Sequence, residues 1–384
     1  MTSKIQAGRR WRASACTAVA AAATFSWICV AAAEDDGQFN ARGNIVIADQ
    51  YNNRIIEIDR ESHEIVWRFG TGSDKPGPDS VVGPNDAERV GTFTLVSGTG
   101  IPGGVSPPLP GCSDPVNGCP DNRVILVNAK GHIVWQYGQD GGASGAGFNQ
   151  LSVPVHALFL SSFPGHPGFH VMITDQSNER IIVVNAAKQI VWQYGTTGVA
   201  GNGLNQLSNP NSAELLENGH VLIADENNNR AIEVTTDRLQ IVATFSAGGT
   251  ASALAFASRL KDGDTLLTDS NNGRIVEVDA HDNIVSQYMT HVAGSNTTYG
   301  GPLPTRAVRL RNGDTLISDQ YNDRVIQITP APEQQTVFTQ GRLNAPSAGF
   351  DRLNGPYDAK VVGDYTGLTP PFDFEAWDLP IPLR

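Results

Sequence analysis

Six short segments of the chain each carry an alanine preceded by a different residue, and those six residues form a set with chemical potential. The segments PYDAKVV, PNDAERV, PVHALFL, PNSAELL, LAFASRL and PTRAVRL place Asp358, Asp86, His156, Ser212, Phe256 and Arg306 directly before the shared alanine. The residues one position earlier add Tyr357, Asn85 and Asn211 to the polar groups. Gathered into a ring, these side chains could bind an anion at Arg306 or a cation between Asp86 and Asp358. With His156 next to Asp86, the carboxylate is expected to raise the imidazole pKa and fix its tautomer. That makes His156 a candidate general base or nucleophile, with Arg306 facing it and Tyr357 nearby as the other catalytic candidates. Asn85, Asp86, Asn211, Ser212 and Asp358 are the candidate ligand-binding residues. The competing reading is that all of these groups merely solvate a channel and pair with one another, as Arg306 with Asp358.

The segments can form a ring only if the elements that carry them repeat, and they do. NIVIADQYNNRIIEIDRESHEIVWRFG at 44–70 recurs at 172–195, 221–245, 265–288 and 315–338, and in degenerate form at 92–138 around a long insert. The repeating arginines are Arg54, Arg123, Arg180, Arg230, Arg274 and Arg324, separated by 69, 57, 50, 44 and 50 residues. A period of roughly 40 to 50 residues suits a four-stranded propeller blade. Within a unit, short β-branched runs alternate with turn signals and no window has helical spacing. Each unit supplies three strands, and the alanine-bearing segment before it supplies the fourth and innermost.

Counting strands predicts an all-β fold, a six-bladed β-propeller over 34–365. PYDAKVV has no unit of its own, so it is expected to close the ring on the first blade and remove an open sheet edge. Residues 35–42 are the alternative closing strand. Positions that repeat in all blades read as structural: Asp49, Asp175, Asp225, Asp269 and Asp319 sit at strand ends, each five residues before an arginine, where a carboxylate accepts backbone N–H and arginine bonds. Positions that diverge read as functional, so replacing His156 or Arg306 is expected to cost ligand rather than stability. Trp67, Trp135 and Trp192, at equivalent strand positions, read as packing between blades.

The repeat, with its Asp-x-x-Asn-x-Arg core followed by Ile-Glu-Val or a close variant, resembles the NHL repeat of six-bladed propellers. The segment ENGHVLIADENNNRAIEV at 217–234 and the closing IVWQYG also resemble arylsulfate sulfotransferase-like propellers. The resemblance covers about 43–365. It implies a scaffold, a lyase or a hydrolase of lactonase type. In lyases of the amidating type it implies a metal held by several histidines with a tyrosine and an arginine nearby, and here Tyr357 and Arg306 match in type while only His156 occupies the ring. In the sulfotransferases it implies a channel histidine that carries the sulfuryl group, and His156 and Arg306 match. No metal site is therefore expected, and the cofactor is left open.

The chain has 27 Lys and Arg against 39 Asp and Glu, a net charge of −12. Such a surface cannot neutralise phosphates, which argues against a nucleic-acid partner. Residues 1–33 hold Lys4, Arg9, Arg10 and Arg12, then an apolar run ending Ala31-Ala32-Ala33, the pattern of a cleaved export signal. Its removal takes four positive charges and leaves −12 − 4 = −16. The expected product is a periplasmic or secreted monomer without stable membrane insertion, followed by a C-terminal tail at 366–384. Its partner is expected to be a small anionic ligand or another protein. Of four cysteines, Cys112 and Cys119 survive cleavage and are expected to form a disulfide across the insert. The histidines other than His156, namely His63, His132, His166, His170, His220, His281 and His291, read as surface residues.

Overall fold

The structure, a computed structural model, describes residues 38–290, 301 and 303–364. The expected leader at 1–33 and tail at 366–384 lie outside the described residues. Six antiparallel four-stranded sheets make a six-bladed β-propeller. Blade 1 joins β1 (Ile45–Asp49), β2 (Arg54–Ile58) and β3 (Ile65–Phe69) to the last strand, β24 (Pro356–Val361). The inner strands of blades 2 to 6 are β4 (Pro84–Val90), β8 (Pro154–Phe163), β12 (Pro210–Leu215), β16 (Leu254–Arg259) and β20 (Pro304–Arg309). The C-terminal segment, not 35–42, closes the ring: β24 pairs antiparallel with β1, Ile45 opposite Val361 and Ala48 opposite Asp358. Among the described residues no helix is long and apolar enough to cross a membrane.

The core is a set of apolar layers between neighbouring blades. One layer joins Leu126 and Trp135 of blade 2 to Phe159, Phe169 and Ile182 of blade 3. Another joins Ile45, Ile47 and Ile56 of blade 1 to Leu316, Val325 and Phe338 of blade 6. Strands buried on both faces explain why the repeats read as near-continuous Val/Ile/Leu runs.

The repeated polar residues build one turn. In blade 1, Asp49 is fully buried and its carboxylate accepts from Asn52 Nδ2 (2.8 Å), Arg54 Nε (2.7 Å) and the backbone N–H of Asn354 (2.8 Å). Asp175, Asp225 and Asp269 make the same three kinds of bond. Each carboxylate thus ties an inner strand's lead-in loop to the turn. The degenerate blade 2 keeps the device by rewiring it. Gly98 stands at the aspartate position, opposite Pro84, and Asp121 from the neighbouring strand pairs with Arg123 and accepts from Val82 N–H (2.7 Å). A Cβ on Gly98 would sit 2.6 Å from the Asp121 carboxyl carbon, so this position must stay glycine.

The residue before each repeated arginine adopts a left-handed conformation, φ 49° at Asn53 and 55° at Asn229. Its side chain reaches into the next blade. Asn53 accepts from Gly83 N–H, Asn122 from Val153, Glu179 from Asn209, Asn229 from Ala253 and Asp323 from Gly355, at 2.6–3.1 Å. Five of six blade junctions are therefore latched through one position; at the junction of blades 5 and 6 that position is Gly273.

The long insert forms the outer part of a hairpin, β5 (Phe93–Pro102) and β6 (Gly118–Val127), and carries the Cys112–Cys119 disulfide. It folds onto the upper face, the end where the inner strands begin. There Ile101 and Cys119 pack with Tyr51 and Val82, with Leu109 and Tyr321 against them. The second insert lengthens β8 and β9 (His166–Asp175) into another long hairpin. His170 lies buried on β9, contrary to the surface position expected for it, because the extension sandwiches it and Gly168 O bonds its Nδ1 (2.8 Å). His63 and His220 are half-buried and paired, with Gln340 and Glu233 respectively. His291 lies outside the described residues.

Candidate functional site

In a closed propeller the inner edge of each inner strand has no strand partner, so its N–H and C=O groups need others. Each inner strand has a bulge just after its first residue. That irregularity sets the six divergent residues at one level, Asp358 opposite Ala48, Asp86 opposite Ser97, His156 opposite Thr174, Ser212 opposite Ala224, Phe256 opposite Thr268 and Arg306 opposite Ser318. Several of them serve the bare edge of the next blade. Asp358 accepts from Ala87 N–H (3.1 Å), Asp86 from Ala157 N–H (3.1 Å) and Ser212 from Ala257 N–H (3.3 Å).

Two residues further along, a second ring does the same. Glu88 accepts from Phe159 N–H (2.9 Å) and Glu214 from Arg259 N–H (3.0 Å). The third polar member of this level is Lys360, whose ammonium bridges Asp86 (2.6 Å) and Asp358 (2.7 Å) and touches Ala87 O (3.3 Å). All three groups are buried. Sequence reasoning missed Glu88, Glu214 and Lys360 because it stopped at one level. The strand period of two would have found them, since residues i and i+2 share a face.

Arg306 fills the channel centre rather than facing solvent; it is 1% exposed. Its Nη1 donates to Asn211 Oδ1 (3.0 Å), Ala255 O (3.2 Å) and Thr305 O (2.9 Å), and Nη2 to Val155 O (3.1 Å) and Asn211 O (3.4 Å). The guanidinium thus satisfies bare carbonyls from four inner strands. Phe256 and Tyr357 flank it, with ring centroids 5.1 and 5.0 Å from its central carbon. The expected pairing with Asp358 is absent, because Lys360 takes that carboxylate.

His156 is 2% exposed, 4.0 Å from Asp86 and edge-on to Phe256 at 5.8 Å. Its Nε2 has no partner. The expected upward pKa shift is reversed. Burial is the largest cause of a pKa well below the ordinary histidine value, followed by the positive charges of Arg306 and Lys360. Asp86 cannot offset them because Lys360 already claims it, so the imidazole is neutral. Burial also raises the Glu88 carboxyl to about 8 against the pull of Lys360.

Above this plug lies a mouth lined by amides and phenols. Asn211 Nδ2 donates to Glu226 (2.8 Å) and to the Tyr357 hydroxyl (3.1 Å). On the other side Gln320 donates to Gln50 (2.5 Å), which donates to Asn85 (2.7 Å). Tyr357 and Glu226 are only partly buried by the side chains around them, and that burial raises the pKa of both. Gln50, Gln176, Glu226, Ser270 and Gln320 each follow a repeated aspartate. Their divergence was visible in the sequence but lay outside the segments compared. The disulfide-bearing insert walls the mouth on the side of Tyr51 and Tyr321. For a metal, the described residues gather only the half-exposed or exposed acids Asp262, Asp264 and Glu277, at the other end of blade 5.

No family model matches the sequence. No curated protein matches it either. Several solved structures are similar in part. A protein of unknown function from Bacteroides caccae is 13% identical, over 78% of this chain and 93% of that one, with a TM-score of 0.48. A streptogramin B lyase is 14% identical over 79% and 80%, TM-score 0.47. The WD40 propeller domain of Doa1 is 12% identical over 79% and 85%, TM-score 0.45.

Proposed function

We propose that the protein is an exported binding propeller that takes a small polar ligand, or a protein segment of the same chemistry, in its upper mouth. One observation carries this reading: the groups best suited to catalysis are committed to the fold, while Tyr357 and Glu226 above them are polar and only partly buried. Both terminal nitrogens of Arg306 are held by backbone carbonyls and Asn211. An anion at Arg306 would have to displace those bonds. A ligand bearing hydroxyl or amide groups would instead meet Tyr357 and Glu226, backed by the buried amides of Gln50, Asn85 and Asn211, without displacing the bonds of Arg306. Buried groups pre-organised in this way hold the mouth rigid, which lowers the ordering cost of binding.

Export, with residues 1–33 as the leader, accords with the Cys112–Cys119 disulfide. Kinship with NHL-type propellers belongs to the same proposal, resting on the repeated Asp-x-x-Asn-x-Arg turn. The competing reading is a lyase or sulfuryl transferase built on His156, Arg306 and Tyr357. One feature favours it: a neutral imidazole with an unpartnered Nε2 is a competent nucleophile or base.

The test compares thermal shifts with neutral saccharides and short amides against sulfate and phosphate, alongside metal analysis and a phenyl-sulfate transfer assay. Neutral polar ligands should stabilise the wild type, and Tyr357→Phe with Glu226→Ala should weaken binding at least about tenfold, the loss of roughly two hydrogen bonds. Turnover abolished by His156→Ala, or stabilisation by anions alone, would replace the binding reading with the enzymatic or anion-binding one.

A further inference from the structure

The outer strands repeat one packing device, and two of its copies lack the ring: in blade 4 Ala243 stands opposite Glu233 and Arg259 lies over Phe245 instead, whereas in blade 5 no ring takes the place. On β3, Trp67 stands opposite Glu57. Its indole donates Nε1 to Ala129 O of the next blade (2.9 Å). Arg89 of that blade lies over the indole at 4.9 Å, pairs with Glu57 and bonds Thr94. Trp192 makes the same donation to Thr236 O (3.0 Å) one junction further round from blade 3.

Between blades 5 and 6 every partner is present. Arg309 pairs with Glu277 (2.6 Å) and bonds Thr315 (3.1 Å), the counterparts of Arg89, Glu57 and Thr94. On β19 (Ile284–Met289), however, the residue opposite Glu277 is Ser286. A groove of about 230 Å³ opens there, lined by Leu266, Ile275, Tyr288, Arg309, Ile328 and Pro330. Strand register makes Leu266, Ile275 and Ile328 the equivalents of Val46, Ile55 and Val127 around Trp67. Counting on from Val127 and Ile328, Pro330 falls where Ala129 presents its carbonyl. The rim is open and mixed in polarity, with Val285 57% exposed beside Gln287 and Thr329. Gln334 crosses one edge, donating to Gln287 O (3.0 Å).

We propose that this groove is a binding site for a small molecule carrying an indole or a comparable bicyclic aromatic ring with an N–H on its edge. The ring would lie under the Arg309 guanidinium and against the aliphatic wall, its N–H directed at the second lone pair of Pro330 O, which already accepts from Gln334 N–H (3.1 Å). Aliphatic-lined cavities of roughly 150 Å³ take up benzene, so the groove has room for one such ring system and little more. An aromatic face beneath a guanidinium that is already held by Glu277 gains cation–π attraction without ordering a new side chain. The site is separate from the mouth and does not depend on the reading given for it.

The test uses the full chain with indole, and with cyclohexanol as an aliphatic ring control, followed by saturation-transfer NMR and calorimetry. Indole should bind one site with a Kd on the order of 0.1–1 mM, as expected of so few atoms, and cyclohexanol should bind at least about tenfold more weakly. Ser286→Trp should seat its own ring, abolish indole binding and raise the Tm; if that variant does not fold, Ser286→Phe serves the same purpose. Absence of saturation transfer, equal binding of cyclohexanol, or unchanged indole binding in the filled variant would overturn the proposal. So would binding that emerges only in Trp377→Ala, since the groove would then belong to the chain's own tryptophan.

Discussion

His156 shows why residue type and neighbourhood do not settle protonation. From the sequence, an imidazole beside an aspartate reads as a group titrating near neutrality. In the structure burial dominates, Lys360 takes the aspartate, and the pKa falls. Lys360 was legible as a lysine in the closing strand; its depth, and so its effect on His156, was not. Glu88 gives the matching prediction for an acid. Its folded pKa of about 8 exceeds the model-peptide value of 4.5. Between those values the folded chain holds a proton that the unfolded chain has released, so stability falls as pH rises through that window, by at most about 1.4 kcal/mol per pH unit. Glu88→Gln keeps an acceptor for Phe159 N–H and should flatten this slope, so its Tm gain over wild type should grow from pH 5 to pH 8 in calorimetric scans. A gain independent of pH would show that Glu88 is already ionised in the fold. Arg306 reverses a second expectation, that divergent residues are dispensable for stability. Arg306→Ala strips donors from four inner-strand carbonyls, and denaturant titration should show a loss of about 3 kcal/mol or more, since bonds to a charged group contribute roughly 1.5 to 3 each.

At the scale of the turn, the sequence announced the Asp-x-x-Asn-x-Arg motif five times, and the bonds within the turn follow from it. The position before the arginine did not announce itself, because Asn, Glu and Asp all occupy it. They share a side-chain oxygen and a tolerated left-handed backbone, and that oxygen latches the next blade. The rewired blade 2 was hidden for a related reason: the carboxylate came from Asp121 on a different strand, which no alignment of repeats on themselves reveals. Two reciprocal substitutions test the latch. Asn229→Gly keeps the φ of 55° but removes the bond to Ala253 N–H, and should cost about 1 kcal/mol, with some added loss from chain entropy. Gly273→Asn, at φ 60°, should place an acceptor near Leu303, the residue before β20, and gain roughly 0.5 to 1 kcal/mol. Opposite signs in paired denaturation curves are the expected result; destabilisation by both would mean that the junction of blades 5 and 6 is held in another way.

Six-fold closure was the most legible feature of the molecule, since a repeat count and one unpaired segment were enough to derive it. What the count could not convey is that the seam carries charge as well as backbone pairing. The closing strand β24 brings Lys360 and Asp358 against Asp86 of blade 2, and Asp358 also caps Ala87 N–H. Deleting 356–384 therefore removes more than a strand. It bares the edge of β1, strands Asp86 in a buried site without its cation, and leaves Ala87 N–H without an acceptor. The truncated chain should be insoluble or lack a cooperative transition. Lys360→Met separates the two effects, because it keeps the strand and removes the cation from between two buried acids. Breaking a buried ion pair from one side costs about 3 to 5 kcal/mol, and the variant should lose stability on that scale at neutral pH while regaining part of it in mild acid, where either carboxyl can take up a proton. Adding Asp86→Asn should restore much of the loss, since a neutral amide needs no cation and can still accept from Ala157 N–H. If Lys360→Met is as stable as wild type, the seam is held by strand pairing alone. If Asp86→Asn does not rescue it, the lysine acts by filling space rather than by charge.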